Sequence, residues 1–278
     1  EGGDTRVYFY VLRPDGGIDL RAEARCGGSG AEPIGYEVDP TGREALVLRV
    51  PPTSERGRTL VLSVEVIDGQ VRAQALPNEL LSVSANRSGS LHVTTSRITL
   101  RKPGRAPLSA PAPVGACGGA LNEGGELLAV GTTTGQVQLF TTEGDSLRLV
   151  AQHLFSKGIS TLCFLPEGVF GCPALAIGTE DEQIHIIAID YLHDGQELVR
   201  LAVGGTPQRL LCRPLVNPNG DGDGYRLLIL LQGGVLASWE AHPQDGHREL
   251  IEDLLDLGSR AAGSRANVLR AALRGYGP

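Results

Sequence analysis

Leu128-Ala129-Val130-Gly131-Thr132, followed by Gln136-Val137-Gln138-Leu139, returns 47 positions later as Leu175-Ala176-Ile177-Gly178-Thr179, followed by Gln183-Ile184-His185-Ile186. Each copy reads as a short buried strand, a tight turn and a second strand with alternating faces. In the second strand Val137 and Leu139, like Ile184 and Ile186, share one face, while Gln136/Gln138 and Gln183/His185 share the other. That pattern predicts a hairpin. A period in the forties with a hairpin at its centre is the mark of a β-propeller blade, a four-stranded sheet that buries both faces against its neighbours. A third, looser copy runs through Leu227 to Leu231, Gln232-Gly233-Gly234 and Val235 to Trp239.

Outward from the twin copies, turn-forming residues divide the chain into further strands. Upstream, apolar runs cover Val7 to Leu12, Leu46 to Val50, Leu60 to Val66, Leu80 to Val83, Leu91 to Thr94 and Ile98 to Leu100. Pro14-Asp15-Gly16-Gly17, Gly27 to Gly30, Pro51-Pro52-Thr53-Ser54 and Asp68-Gly69 punctuate them. Four prolines between Pro103 and Pro113 predict an inter-blade connection, since proline cannot donate to a strand ladder. Between and after the copies come Leu147 to Leu154, Ile159 to Leu165, Leu198 to Val203 and Arg209 to Cys212. Glu249 to Leu257 fits a short helix or a strand equally, and Val268 to Leu273 is the one strand candidate of the tail. The expected fold is therefore all-β: a β-propeller of WD40-like blades, each of four antiparallel strands. Residues 1–258 supply the blades, and seven blades would nearly exhaust 278 residues.

Composition narrows the function classes. Hydrophobic content of 41% suffices for a core, and a net charge of −7 gives no reason to expect non-specific attachment to nucleic acid or to an acidic membrane surface. The densest basic run, Arg97 to Arg105 with Arg101 and Lys102, reads as a solvated loop. Five widely spread cysteines, Cys26, Cys117, Cys163, Cys172 and Cys212, contain no CxxC pair. Cys163 and Cys212 fall in apolar runs, where a free thiol packs as a small hydrophobe, and a reducing compartment is expected. No window approaches eighteen uninterrupted apolar residues, so no membrane span is expected. The chain opens at Glu1 and contains no methionine, as expected of a fragment.

The search for reactive groups returns no catalytic, cofactor-binding or metal-ligating residue. His92, His153, His185, His193, His242 and His247 form no HxH or HExxH pair, and His242 and His247 flank a Pro243-Gln244-Asp245-Gly246 turn. Asn217 to Gly224 begins like a calcium loop, with oxygen side chains at Asn219, Asp221 and Asp223. Its twelfth position is Leu230, where an EF-hand needs a bidentate glutamate, so a solvated hairpin connection is expected. Gly27-Gly28-Ser29-Gly30 is not a nucleophile elbow, and Gly131 ends a strand without opening a phosphate-binding helix. Trp239, the single tryptophan, fits either core packing or an interface anchor. A propeller enzyme whose site is assembled in a central channel from residues remote in sequence stays open beside a non-catalytic scaffold.

The order Ile159-Ser160-Thr161-Leu162-Cys163, Leu175 to Thr179, Gln183 to Asp190, Gly233-Gly234-Val235-Leu236 and Leu257-Gly258-Ser259-Arg260 carries a family resemblance. It resembles the middle propeller of the family of splicing factor 3b subunit 3, damage-specific DNA-binding protein 1 and the large cleavage and polyadenylation specificity factor subunit. Upstream, Asn78 to Leu100, ending in Thr95-Ser96-Arg97-Ile98-Thr99-Leu100, fits the preceding family segment. The Leu-Gly-Ser-Arg step and Ile186-Ile187-Ala188-Ile189-Asp190 lean to the splicing member; the extra Ala261-Ala262-Gly263-Ser264 departs from it. The resemblance implies that residues 259–278 connect to, and begin, a third propeller. It further implies a non-catalytic, nuclear scaffold without cofactor or small-molecule substrate. Its partners would be protein subunits of a large complex, with nucleic acid met mainly indirectly and no membrane. Within that group the alternatives to pre-mRNA splicing are a DNA-damage-binding ubiquitin-ligase adaptor and an mRNA 3′-end processing subunit.

Overall fold

The computed structural model describes residues 5–12, 18–26, 32–38, 44–51, 59–67, 70–86, 88–166, 173–189, 197–215, 224–233, 235–241, 248–249 and 255–256. Among these every regular element is a strand. A hairpin of β1 (Thr5–Leu12) and β2 (Ile18–Cys26) comes first. It is followed by β3 (Glu32–Val38), β4 (Glu44–Val50), β5 (Leu60–Ile67) and β6 (Gln70–Leu76), then β7 (Leu80–Asn86), β8 (Gly89–Thr94), β9 (Arg97–Arg101) and β10 (Leu108–Pro111). These two four-stranded units share one eight-stranded sheet only through a parallel bridge between Gly35 and Val83. A third unit comprises β11 (Ala116–Leu121), β12 (Leu127–Thr132), β13 (Gln136–Glu143) and β14 (Ser146–Leu154). The fourth comprises β15 (Ile159–Leu165), β16 (Ala174–Thr179), β17 (Gln183–Ala188) and β18 (Glu197–Ala202). The fifth comprises β19 (Pro207–Leu215), β20 (Gly224–Leu231) and β21 (Val235–Ala241), with the short β22 (Arg248–Glu249) and β23 (Leu255–Asp256) both pairing β21.

Inside each unit the strands follow chain order and are antiparallel, and the first strands β3, β7, β11, β15 and β19 lie side by side in succession. This is the arrangement of propeller blades. The repeat extends further than the three copies visible in sequence. Each first strand carries a register shift near its start, at Pro33/Gly35, Leu80/Ser82, Ala116/Gly118, Ile159/Thr161 and Pro207/Arg209. A bulge at a constant place bends every blade's inner strand in the same way. The loop ahead of the first strand is also tied down repeatedly: the N–H groups of Thr133, Glu180 and Gln232 donate to the carbonyls of Gly115, Gly158 and Thr206 at 2.9, 3.0 and 2.8 Å.

The core lies between sheets. Val137 and Leu139 pack with Leu175, Ile177 and Ile187 of the fourth unit, while Ile184 and Ile186 pack with Leu227, Ile229 and Trp239 of the fifth. All residues of β12 and β16 are buried, as expected of strands covered on both faces. Close approach is made possible by Gly131 and Gly178. A Cβ at Gly131 would lie 2.6 Å from the Ile159 side chain, and one at Gly178 would lie 2.7 Å from Thr161 and 2.9 Å from Pro207. Trp239 is 2% exposed and belongs to this core.

Several expectations change. The proline-rich connection contains an edge strand, β10, whose last residue is Pro111; an outer edge tolerates the missing donor. The basic run is not simply a loop, because Arg97 to Arg101 form β9 with Ile98 and Leu100 in the core and the arginines outward. Strands β2, β3 and β11 were not anticipated, and β6, the run beyond the Asp68-Gly69 turn, is mostly exposed and so lacks an apolar pattern. Gly27 to Gly30, the Asn217 to Asp223 run, Cys172, His193, His242, His247 and everything from Leu257 onward lie outside the described residues, as does most of Glu249 to Leu257.

The two central turns differ in a way that sets opposite mutational outcomes. Gly135 has φ +88°, and a Cβ there would meet the carbonyl oxygens of Phe155 and Lys157 at 2.4 and 2.6 Å. Its counterpart is Glu182, at φ +64°, whose carbonyl accepts from Val203 just before Gly204 and Gly205. Gly135→Ala is expected to destabilise the fold by about 1–3 kcal/mol, and Glu182→Gly to stabilise it by up to about 1 kcal/mol as the left-handed strain is relieved. Urea unfolding of both variants checks the pair. Burial pushes the Cys117 and Cys163 thiols up to about 11, with Glu180 adding to the effect at Cys117. At pH 7.5 both thiols stay protonated, and iodoacetamide mass spectrometry is expected to find them unmodified in the native protein and alkylated after denaturation.

Candidate functional site

Between the third and fourth units lies a cleft of about 420 Å³. One wall is the end of β14 and the residues after it, His153 to Ser156; the other is the β16–β17 turn and the outer strands β17 and β18. Period-two alternation places Gln183, His185 and Ile187 on the cleft side of β17, opposite the face that buries Ile184 and Ile186. At the turn, Thr179 is 1% exposed and its hydroxyl donates to Asp181 Oδ1 at 2.5 Å. The equivalent Thr132 takes up the Gln136 N–H at 2.9 Å, so a buried threonine closes both turns.

His185 is the central side chain. It is 8% exposed, and its ring centroid is 5.0 Å from that of Phe155 at an interplanar angle of 53°. Its Nδ1 lies 2.6 Å from Glu197 Oε1. Glu197 in turn accepts from Arg200 Nε at 3.0 Å and from an Arg200 terminal nitrogen at 2.8 Å, a bidentate pair. The Arg200 guanidinium holds the Glu197 carboxyl below the usual carboxylate range; partial burial opposes this and His185 adds to it. The carboxylate sets the imidazole tautomer: with Nδ1–H donating to Glu197, Nε2 keeps its lone pair.

The third unit serves as an internal control. Strand register places Gln138, Leu149 and Gln152 where the fourth unit has His185, Glu197 and Arg200. There the polar side chains form a ladder, with Gln138 donating to Gln136 and Gln136 to Gln152. The blade architecture thus accommodates either set, and the histidine–carboxylate–guanidinium series is a property of the cleft.

In chemical terms His185 held by Glu197 has the geometry of an oriented base, yet no hydroxyl or thiol among the described residues is hydrogen-bonded to the ring. Thr179 is committed to Asp181. The other histidines do not join it: His92 is buried in β8, 3.2 Å from the Ser90 hydroxyl, while His153 lines the cleft. No group of three or more His, Cys, Asp or Glu side chains among the described residues could hold a metal ion. A second hollow of about 250 Å³ joins Lys102 and Arg105 to Thr142 and Asp145, between the outer edges of the second and third units. Sequence reasoning passed over His185 because its partners arrive from β18, across a loop, and belong to no contiguous motif. The signal that could have found them is the strand register, which sets Arg200 opposite His185.

No protein-family model matches the chain, and no curated protein matches it either. Solved structures do. The Chaetomium thermophilum Sqt1, in a structure bound to the N-terminus of the ribosomal protein L10, is similar with a TM-score of 0.55 and 16% identity, covering 89% of this chain and 68% of that one. A chain of the mitotic checkpoint complex is similar with a TM-score of 0.52 and 15% identity, covering 89% of this chain and 75% of that one. At such identities the likeness concerns the fold, and these neighbours are WD40-type propellers. The chain therefore has the all-β, propeller-type fold expected from its twin hairpin.

Proposed function

We propose that the chain is a non-catalytic scaffold that binds other proteins. The observation that carries this reading is the cleft beside His185: a set of oriented polar groups with no hydroxyl or thiol among the described residues hydrogen-bonded to the base. Such a constellation recognises donors and acceptors without being equipped to break bonds. The structural neighbours support it, since one was captured with a segment of a ribosomal protein and the other within a multiprotein complex. The finer reading is a subunit of a nuclear complex, of the splicing factor 3b type. It is supported by the succession along the sequence of Ile159 to Cys163, Leu175 to Thr179 and Leu257 to Arg260. Damage-specific DNA binding with a cullin ligase, and mRNA 3′-end processing, are the alternatives in the same family.

Affinity purification of the full-length protein from its native cells, followed by mass spectrometry and RNA sequencing, separates these readings. Splicing proteins with uridine-rich small RNAs are expected. A co-purifying cullin would move the assignment to the ubiquitin-ligase member, and a monomer without partners would overturn the scaffold reading.

A further inference from the structure

The cleft between the third and fourth units presents acceptors. Arg200 is held bidentately by Glu197 and also attracts Asp181, so the two carboxylates outnumber the guanidinium on the walls and leave an excess of one negative charge. Asp181 uses Oδ1 for the Thr179 hydroxyl, and its second oxygen has no partner among the described residues. His185 also lines the cleft with Nδ1 beside Glu197, and the neutral ring that donates Nδ1–H to this carboxylate offers Nε2 as an acceptor. Phe155 supplies an aromatic ring against the imidazole, and Leu154, 81% exposed, supplies an apolar rim.

We propose that this cleft is a receptor for the guanidinium of an arginine carried on a partner protein. A guanidinium is planar, offers five N–H donors and no acceptor, and stacks on aromatic faces. Each property matches a wall of the cleft: carboxylate and imidazole nitrogen take the donors, Phe155 takes the plane, and Leu154 covers the aliphatic stem. An anionic ligand fits poorly, because Arg200, the one Lys or Arg among the described lining residues, is held bidentately by Glu197, and Asp181 would repel the ligand. The volume of about 420 Å³ admits a long side chain together with part of its backbone. Phosphate-bearing partners are thereby disfavoured relative to a basic protein segment. This inference deepens the scaffold reading and rests on it.

The test uses the full chain and a fluorescein-labelled peptide of three Gly-Arg-Gly repeats, followed by fluorescence anisotropy. A second peptide carries citrulline, the neutral isostere, at each arginine. The arginine peptide is expected to bind at least about tenfold more tightly than the citrulline peptide. Asp181→Asn, which keeps an acceptor for Thr179, is expected to weaken it by about tenfold. Glu123→Gln makes the same charge change at an exposed turn away from the cleft and is expected to leave the affinity within about twofold. Equal binding of both peptides would overturn the proposal. So would equal weakening by both variants, which reports diffuse attraction, or the absence of binding at about 1 mM peptide. Thermal melts of the variants confirm that they fold. If the peptide assay fails while partners still co-purify, the cleft assignment alone falls; a chain that binds neither loses the scaffold reading too.

Discussion

Everything in this molecule depends on sheets meeting face to face at short range. The three largest buried clusters among the described residues each span sheets: they run from β8 and β9 to β12 and β13, from β12 and β13 to β16, and from β16 and β17 to β20 and β21, while two smaller ones lie within the first eight-stranded sheet. Fully burying a side chain such as Ile177, Ile184 or Ile186 contributes about 1.5–3 kcal/mol, against roughly 0–1 kcal/mol for an exposed ion pair such as Arg148 with Glu143. Inter-sheet packing therefore decides stability, and the charged pairs do not. It follows that the units stabilise one another as neighbours in a row, and that a single blade, stripped of both partners, would expose its whole apolar surface.

That constraint also explains what could be read from sequence. A strand covered on both faces must be apolar throughout, so Leu127–Thr132 and Ala174–Thr179 stood out, and the tight approach required Gly131 and Gly178. Outer strands face no such demand. In β6 most residues are exposed, and in β14 exposed and half-buried positions mix irregularly, so composition there wanders and boundaries blur. The bulges at the start of each first strand were invisible for a related reason: Ala116, Ile159 and Pro207 share a backbone irregularity and no residue type.

The site was harder to read than the fold. His185 was visible as a member of the polar face of the second hairpin, and that much holds, since it lies opposite Ile184 and Ile186. Its burial was not foreseeable, because the cover comes from Phe155 of the preceding unit and the charge partner from β18. A motif search compares neighbours in sequence, whereas a cleft between two blades collects residues separated by whole strands.

Comparison of the two copies separates what the fold requires from what the cleft adds. Both turns are closed by a buried threonine, both inner hairpins end in a glutamine strand start, and both pin the following strand through the turn carbonyl, from Phe155 to Gly135 and from Val203 to Glu182. These shared features are structural. At the next positions the copies part: Gln138, Leu149 and Gln152 in one, His185, Glu197 and Arg200 in the other. A buried imidazole with its carboxylate is costly to desolvate and contributes little to stability beyond what glutamines achieve at the same register. Its presence in one of the two copies is a departure from what the repeat requires, and the proposed role of this inter-blade cleft rests on that departure.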